Sequence, residues 1–284
     1  MAIFTNRATL TYNDVTRNSN IATGEILEVL SASKTAVVDE YGINDDITYI
    51  VSIVNSGTTA LTGLSVTDSL GAYTVNETTV YPLSYVMDSV KYYVNGVLQA
   101  TPTVTAGPPL VFDGLSVPAQ GNAMLVYAAS VNEFASPTEG GTITNTATVS
   151  GDGLTTPVTA TETVTAVNGP DLSIDKSISP STVTDNSRVT YTFTIRNYGN
   201  QPAEATDNAS VTDIFDPILT DLAVTFNGAV WTEPTNYTYD ESTGTFVTVP
   251  GQITVPAATF TQDPVTGVYT TVPGVSVLTV EGTI

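Results

Sequence analysis

Cysteine and histidine are both absent from the chain. Their absence removes Cys/His zinc sites, thiol nucleophiles and imidazole acid–base chemistry together, and no disulfide holds the fold. Positive charge is scarce: 7 lysines and arginines face 28 acids, a formal net charge of −21. A surface of that sign repels nucleic acid and anionic lipid, so neither is an expected partner. No apolar run is long enough to span a bilayer. The opening Met1-Ala2-Ile3-Phe4-Thr5 carries no basic region and no apolar stretch, so no signal peptide is visible. The expectation is either a mature form or a route other than general secretion.

What is present points to strands. Thr, Val, Gly, Pro, Asn and Asp dominate, and no segment sustains a helical period. At 284 residues the length suits two domains, each with its own core. The chain also repeats itself. Leu30-Ser-Ala-Ser-Lys34 is matched by Leu172-Ser-Ile-Asp-Lys176, and Thr48 to Gly57 by Thr190 to Gly199. Val66-Thr67-Asp68 returns as Val211-Thr212-Asp213, the turn Asn95-Gly96 as Asn227-Gly228, and Leu115 to Ala119 as Ile253 to Ala257. The Met124 strand returns as Val275 to Val280. A tandem duplication at this spacing predicts two Ig-like β-sandwiches.

The copies differ at their ends. The first closes with Ile143-Thr-Asn145-Thr-Ala147-Thr-Val149 and a second Thr-rich strand, Val158 to Val167; the second copy stops at Ile284 without them. Their pattern stands instead at the front, as Phe4-Thr-Asn6-Arg-Ala8-Thr-Leu10-Thr-Tyr12, a turn at Asn13-Asp14, and Ile21 to Val29. The expected division is therefore 1–28 as donor strands, 29–167 as the first domain, 168–170 as linker, and 171–284 as a second domain lacking its closing strands. The donor face carries Phe4, Asn6, Ala8, Leu10 and Tyr12; the acceptor end is expected at Val275, Val277, Val280 and Ile284.

Leu-x-Ile-x-Lys-Ser, Val-Thr-Tyr-Thr-Phe-Thr-Ile-x-Asn-x-Gly-Asn, Val-Thr-Asp and Ile-Thr-Asn-Thr-Ala-Thr-Val together resemble the bacterial conserved-repeat family called domain of unknown function eleven. The resemblance covers nearly the whole chain. It implies Ig-like sandwiches stacked in extracellular surface proteins, and no enzymatic activity. The chain departs from the usual form in carrying its last strands at the front.

A sandwich without its edge strands exposes apolar core and unpaired backbone, and invites an added strand. Three arrangements are open: the N-terminus closes its own second domain, inserts into a neighbour, or is a disordered tail. The short passage Glu28-Val29-Leu30 and the short Asn168-Gly169-Pro170 linker favour insertion into a neighbour. A head-to-tail contact that does not close makes an open filament. The expected function is thus a structural subunit of an extracellular or cell-surface filament whose partner is a further copy of itself. The absent signal peptide also suits assembly inside a cell that later lyses, such as a spore's mother cell. The alternative is a monomeric surface adhesin or binding module. No cofactor is expected, and the tip or anchor partner is not legible.

Only three lysines occur, and two occupy the same repeat position. Counting by two places Lys34 with Leu30 and Ala32, and Lys176 with Leu172 and Ile174, on the apolar face. The same count places Asp68, Asp213, Asn145 and Asn6 on apolar faces. Intramolecular Lys–Asn isopeptide bonds of other Ig-like surface domains use this trio. Lys34 would then join Asn145 with Asp68 as helper, and Lys176 would join Asn6 of the next subunit with Asp213 as helper. The competing reading has each lysine reaching the sandwich rim to pair with its aspartate. The acidic turns Asn44-Asp45-Asp46 and Asp240-Glu241 lack the spacing of a dedicated calcium loop, so no metal site is expected. No catalytic constellation is found.

Overall fold

The computed structural model describes residues 2–26 and 28–284; Met1 and Leu27, both within the expected donor segment, lie outside them. The fold is all-β, two tandem Ig-like sandwiches with one short 3-10 turn at Ala205–Asp207. No helix of the described residues is long and apolar enough to cross a membrane.

In the first sandwich, alternation builds the core directly. Ile47, Tyr49, Val51 and Ile53 of the Asp46–Asn55 strand are buried at every second position, and Leu125, Tyr127, Ala129 and Val131 repeat this on Gly121–Val131. One sheet runs Val97–Leu98, Lys91–Val94, Gly121–Val131, Asp46–Asn55, Leu30–Ala36. The facing sheet runs Thr103–Thr105, Leu110–Val117, Leu61–Asp68, Thr142–Gly151, Val158–Ala166, Glu40–Tyr41. Asn95 and Gly96 both have positive φ, the left-handed pair a type I′ hairpin turn requires.

The second sandwich has one sheet ordered Leu172–Ser179, Arg188–Asn197, Gly274–Thr283, Thr220–Phe226, Ala229–Trp231. Against it stand only three strands, Thr212–Ile214, Thr245–Thr248 and Tyr237–Asp240. Phe193, Phe215, Phe246, Leu278 and Val280 form its core. The difference from the first sandwich lies at one margin. There Thr142–Gly151 pairs with Leu61–Asp68, and Val158–Ala166 lies across Leu30–Ala36. In the second sandwich every residue of Leu172–Ser179 is exposed, Ile174 by 53%.

Residues 2–26 form a ribbon paired only with itself among the described residues. Ala2–Asn6 pairs with Ala22–Ile26, and Thr9–Tyr12 with Val15–Asn18. Asn13 and Asp14, both at positive φ, make the turn. The expected single strand from Ile21 to Val29 is shorter, Ala22–Ile26, and the ribbon is interrupted where Ser19 binds back to Ala8. Phe4 faces Gly24 across the ribbon and its ring occupies the space a Cβ there would need.

The second domain also sends a hairpin, Thr259–Gln262 with Tyr269–Val272, back to the first. Tyr269 N donates to Glu133 O at 2.9 Å and Gln262 Nε2 to the Tyr73 hydroxyl at 2.9 Å. On the other side of the joint, Asn200 Nδ2 donates to Val167 O at 2.9 Å and to Pro137 O at 3.2 Å.

Candidate functional site

The buried polar group of the first sandwich is assembled from both sheets. Alternation turns Lys34 inward from Leu30–Ala36, opposite Val51; Tyr49 and Tyr127 are direct cross-strand partners in the same sheet. Asp68 and Asn145 come from the facing sheet, where Asp68 stands opposite Ala147, two positions on from Asn145. Lys34 Nζ donates to Asp68 Oδ2, and both side chains are 0% exposed. The Tyr127 hydroxyl donates to the same carboxylate oxygen, while Asp68 Oδ1 accepts from Leu70 N at 2.9 Å. The ammonium lies 4.6 Å from the Tyr49 ring centroid and 5.9 Å from that of Tyr127.

Asn145 is fully buried, and its carboxamide oxygen accepts from Ser69 Oγ at 3.1 Å and Gly71 N at 3.2 Å. Its Nδ2 and the Tyr49 hydroxyl make no hydrogen bond of good geometry, although the carboxamide lies near enough to the Tyr49 and Tyr127 hydroxyls to oppose their rise. An unpaired buried amide group costs about 1–3 kcal/mol, so the sandwich tolerates a poorly satisfied carboxamide beside a buried amine. Burial pulls the Lys34 amine below its usual 10.5, with the Asp68 charge and hydrogen bond pulling the other way. Burial raises the Tyr127 and Tyr49 hydroxyls, and the Asp68 charge raises both further. Lys34 does not reach the rim, as the competing reading of the sequence required. A buried amine, a carboxylate and a carboxamide thus share one enclosed space between the sheets.

The second sandwich carries an open counterpart. Lys176 stands opposite Phe193 and donates to Asp213 Oδ2, with side chains 40% and 17% exposed. Its ammonium lies 4.5 Å from the Tyr191 ring centroid, 5.4 Å from Phe215 and 5.5 Å from Phe193. Asn6 is not with them; it is exposed on the ribbon, opposite Ala22. The other donor residues, Phe4, Ala8, Leu10 and Tyr12, are exposed as well.

The expected acceptor residues need correction. Val275, Val277 and Val280 lie on a strand hydrogen-bonded along one edge to Arg188–Asn197 and, from Val277 onward, along the other to residues 220–227, and Ile284 closes it against Ser187. A strand paired on both sides offers no edge to a newcomer. Val280 is core, whereas Val275 faces outward. The exposed margin consists instead of Leu172–Ser179 and the free side of Thr212–Ile214. Sequence reading also missed Tyr49 and Tyr127, although each shares an alternating face with core residues, Tyr49 with Ile47 and Val51 and Tyr127 with Leu125 and Ala129. No group of three or more acidic side chains converges on a metal-sized space among the described residues. The Asp240 carboxylate instead accepts from Ser242 N at 2.9 Å and from its hydroxyl at 2.6 Å.

No protein-family model matches the chain, and no curated protein matches it. Among solved structures, it is similar to BcpA, the major pilin subunit of Bacillus cereus, at 13% identity over 95% of this chain and 73% of that one, with a TM-score of 0.37. It is similar to the pilus backbone RrgB of Streptococcus pneumoniae at 12% identity over 86% of this chain, TM-score 0.32. The collagen adhesin of S. aureus aligns at 11% identity over 55% of this chain, TM-score 0.31. The chain spans 55% of the length of each of the last two structures.

Proposed function

We propose that the chain is a structural subunit of an extracellular filament, built from repeats of the family its motifs resemble and polymerising head to tail. The N-terminal ribbon of one copy docks on the second sandwich of the next and replaces the two closing strands. One observation carries this reading: Leu172–Ser179 lies exposed where its counterpart Leu30–Ala36 lies under Val158–Ala166, while the ribbon matching those covering strands is itself unpacked. Phe4 and Leu10 are 54% and 64% exposed. Burying a side chain of either kind contributes about 1.5–3 kcal/mol, and the added strand satisfies an open backbone edge.

In the first sandwich, Lys34 Nζ attacks the Asn145 carboxamide carbon, Asp68 carries the proton from amine to departing nitrogen, and ammonia leaves. The product is a Lys34–Asn145 amide between the two sheets, which removes the unpaired Nδ2.

Electron microscopy of the full chain tests the assembly. Long thin fibres are expected. Discrete two-lobed particles at high concentration overturn it and favour a monomeric surface binding module whose ribbon closes its own second domain. Intact mass tests the bond: the chain is expected to be lighter by one ammonia, with Lys34 and Asn145 in one linked peptide.

A further inference from the structure

We infer that the second sandwich holds a cross-linking site completed by assembly: Lys176 and Asp213 of one copy join Asn6 of the next only once the ribbon has docked. This rests on the strand-donation reading and goes beyond it, because docking supplies the reactant and closes the site in one event.

The two sandwiches are the same site at two stages. Each places a lysine at the fifth position of its opening strand, ion-paired to an aspartate of the facing sheet and set over aromatic rings. In the first, the strand that delivers Asn145 also lies against the pair, and both charged side chains are fully excluded from water. In the second no strand pairs at that place among the described residues, and the pair is open, 40% and 17% exposed. Tyr191, Phe193 and Phe215 already form the floor. What is lacking is a carboxamide and a lid.

The ribbon carries both at the right spacing. In the first sandwich Ala147 pairs opposite Asp68, with Asn145 two positions before it. On the ribbon Ala8 follows Asn6 by the same two positions. Docking with Ala8 opposite Asp213 therefore puts Asn6 in the place of Asn145, and sets Leu10 opposite Val211, as Val149 stands opposite Val66. A strand slipped by one residue would turn Asn6 away from the core, so the register that buries Phe4 and Leu10 is also the one that presents the carboxamide.

In the unassembled chain the pair is open to water and Asn6 lies exposed on the ribbon, away from it, so Lys176 has no carboxamide to attack. Once the ribbon covers the pair, Asp213 serves to accept the proton from the Lys176 amine. Lys176 Nζ then forms a bond to Asn6 Cγ, the Cγ–Nδ2 bond breaks, Asp213 returns the proton to the departing nitrogen, and ammonia is released. One amide replaces another, and no oxidant or co-reactant is needed. The ion pair stays unreactive until it is covered, so the subunit cannot spend its lysine before it polymerises.

The test compares full-length chain kept dilute and unassembled with the fibres it forms, by peptide mass spectrometry on a mixture of unlabelled and isotope-labelled subunits. A Lys176–Asn6 linked peptide joining labelled to unlabelled chains is expected in fibres and absent before assembly. Asn6→Ala is expected to remove the linked peptide, so that whatever fibres it forms fall to monomers in boiling detergent, where the parent persists as a ladder. Fibres lacking the linked peptide, or the linked peptide in unassembled chain, overturn the inference while leaving strand donation standing. Absence of fibres from the parent chain overturns strand donation itself.

Discussion

The Lys34 ammonium and the Asp68 carboxylate meet between the two sheets of the first sandwich with no exposure to solvent, although the chain has only 7 basic residues for its 28 acids. A buried ion pair contributes little to stability, since the desolvation penalty offsets the attraction. Its repeat counterpart Lys176–Asp213 is the same pairing left open to solvent.

Amide formation in the first sandwich should have an alkaline limit set by Lys34. The reactive state holds one shared proton, as neutral amine with protonated Asp68, and is lost once that proton leaves the pair. Burial pulls the Lys34 value below 10.5, so the loss begins at lower pH than for a free lysine. The rate, followed by mass after refolding at a series of pH values, should be level near neutrality and fall before 10.5 is reached. A rate still climbing through 10.5 contradicts the role given to Asp68.

Removing one partner of the pair should be worse than removing both. In an Asn145→Ala chain, which cannot form the amide, Asp68→Asn keeps an acceptor for Leu70 N but leaves Lys34 buried without its counter-charge. The expected loss is about 3–5 kcal/mol in denaturant unfolding. Adding Lys34→Met to that chain should recover most of it. Equal losses in the single and paired variants would mean that the charges are not buried together.

Leu10→Asp should abolish fibres without changing the melting of the subunit, because Leu10 is exposed on the ribbon and belongs to neither core. Docked, the same aspartate would enter an apolar face at a penalty of several kcal/mol. Fibres that persist in electron micrographs of this variant exclude the ribbon as the donor.

Much of this was legible in the chain because β alternation is a local rule. Lys34, Asp68 and Asn145 share faces with Leu30, Val66 and Ala147, and counting by two is enough to turn them inward. Tyr49 and Tyr127 obey the same count, but a tyrosine on a strand reads as packing until its neighbours across the sheet are known. The acceptor strand was misplaced because order along the chain is not order across a sheet: Gly274–Thr283 comes last in sequence and sits in the middle. The Thr259–Gln262 hairpin escaped because it is an insertion between Ala257 and Gly274, where the first copy has only the turn at Gln120.

That hairpin predicts a stiff joint inside each subunit. It reaches Glu133 and Tyr73 of the first domain, and Gly267 at its tip, with φ +81, lies so close to Val75 and Val80 that a Cβ would stand 3.2 Å from each. Gly267→Val strains the turn and pushes its tip off that surface, while Gln262→Ala removes two hydrogen bonds, to the Tyr73 hydroxyl across the joint and to Gly267 O within the hairpin, each worth about 0.5–1.5 kcal/mol. Gln262 belongs to neither core, and Gly267 meets the first domain at buried Val80, outside its main core cluster, so unfolding of each sandwich should change little. Small-angle scattering of unassembled full chain should show one well-defined end-to-end distance for the parent. It should show a slightly broader distribution for Gln262→Ala and a markedly broader one for Gly267→Val. The Asn200 contacts to Pro137 and Val167 remain in both variants, so the domains should stay joined on that side. Unchanged scattering from Gly267→Val would assign the stiffness to Asn200 and the linker, and leave the hairpin without this role.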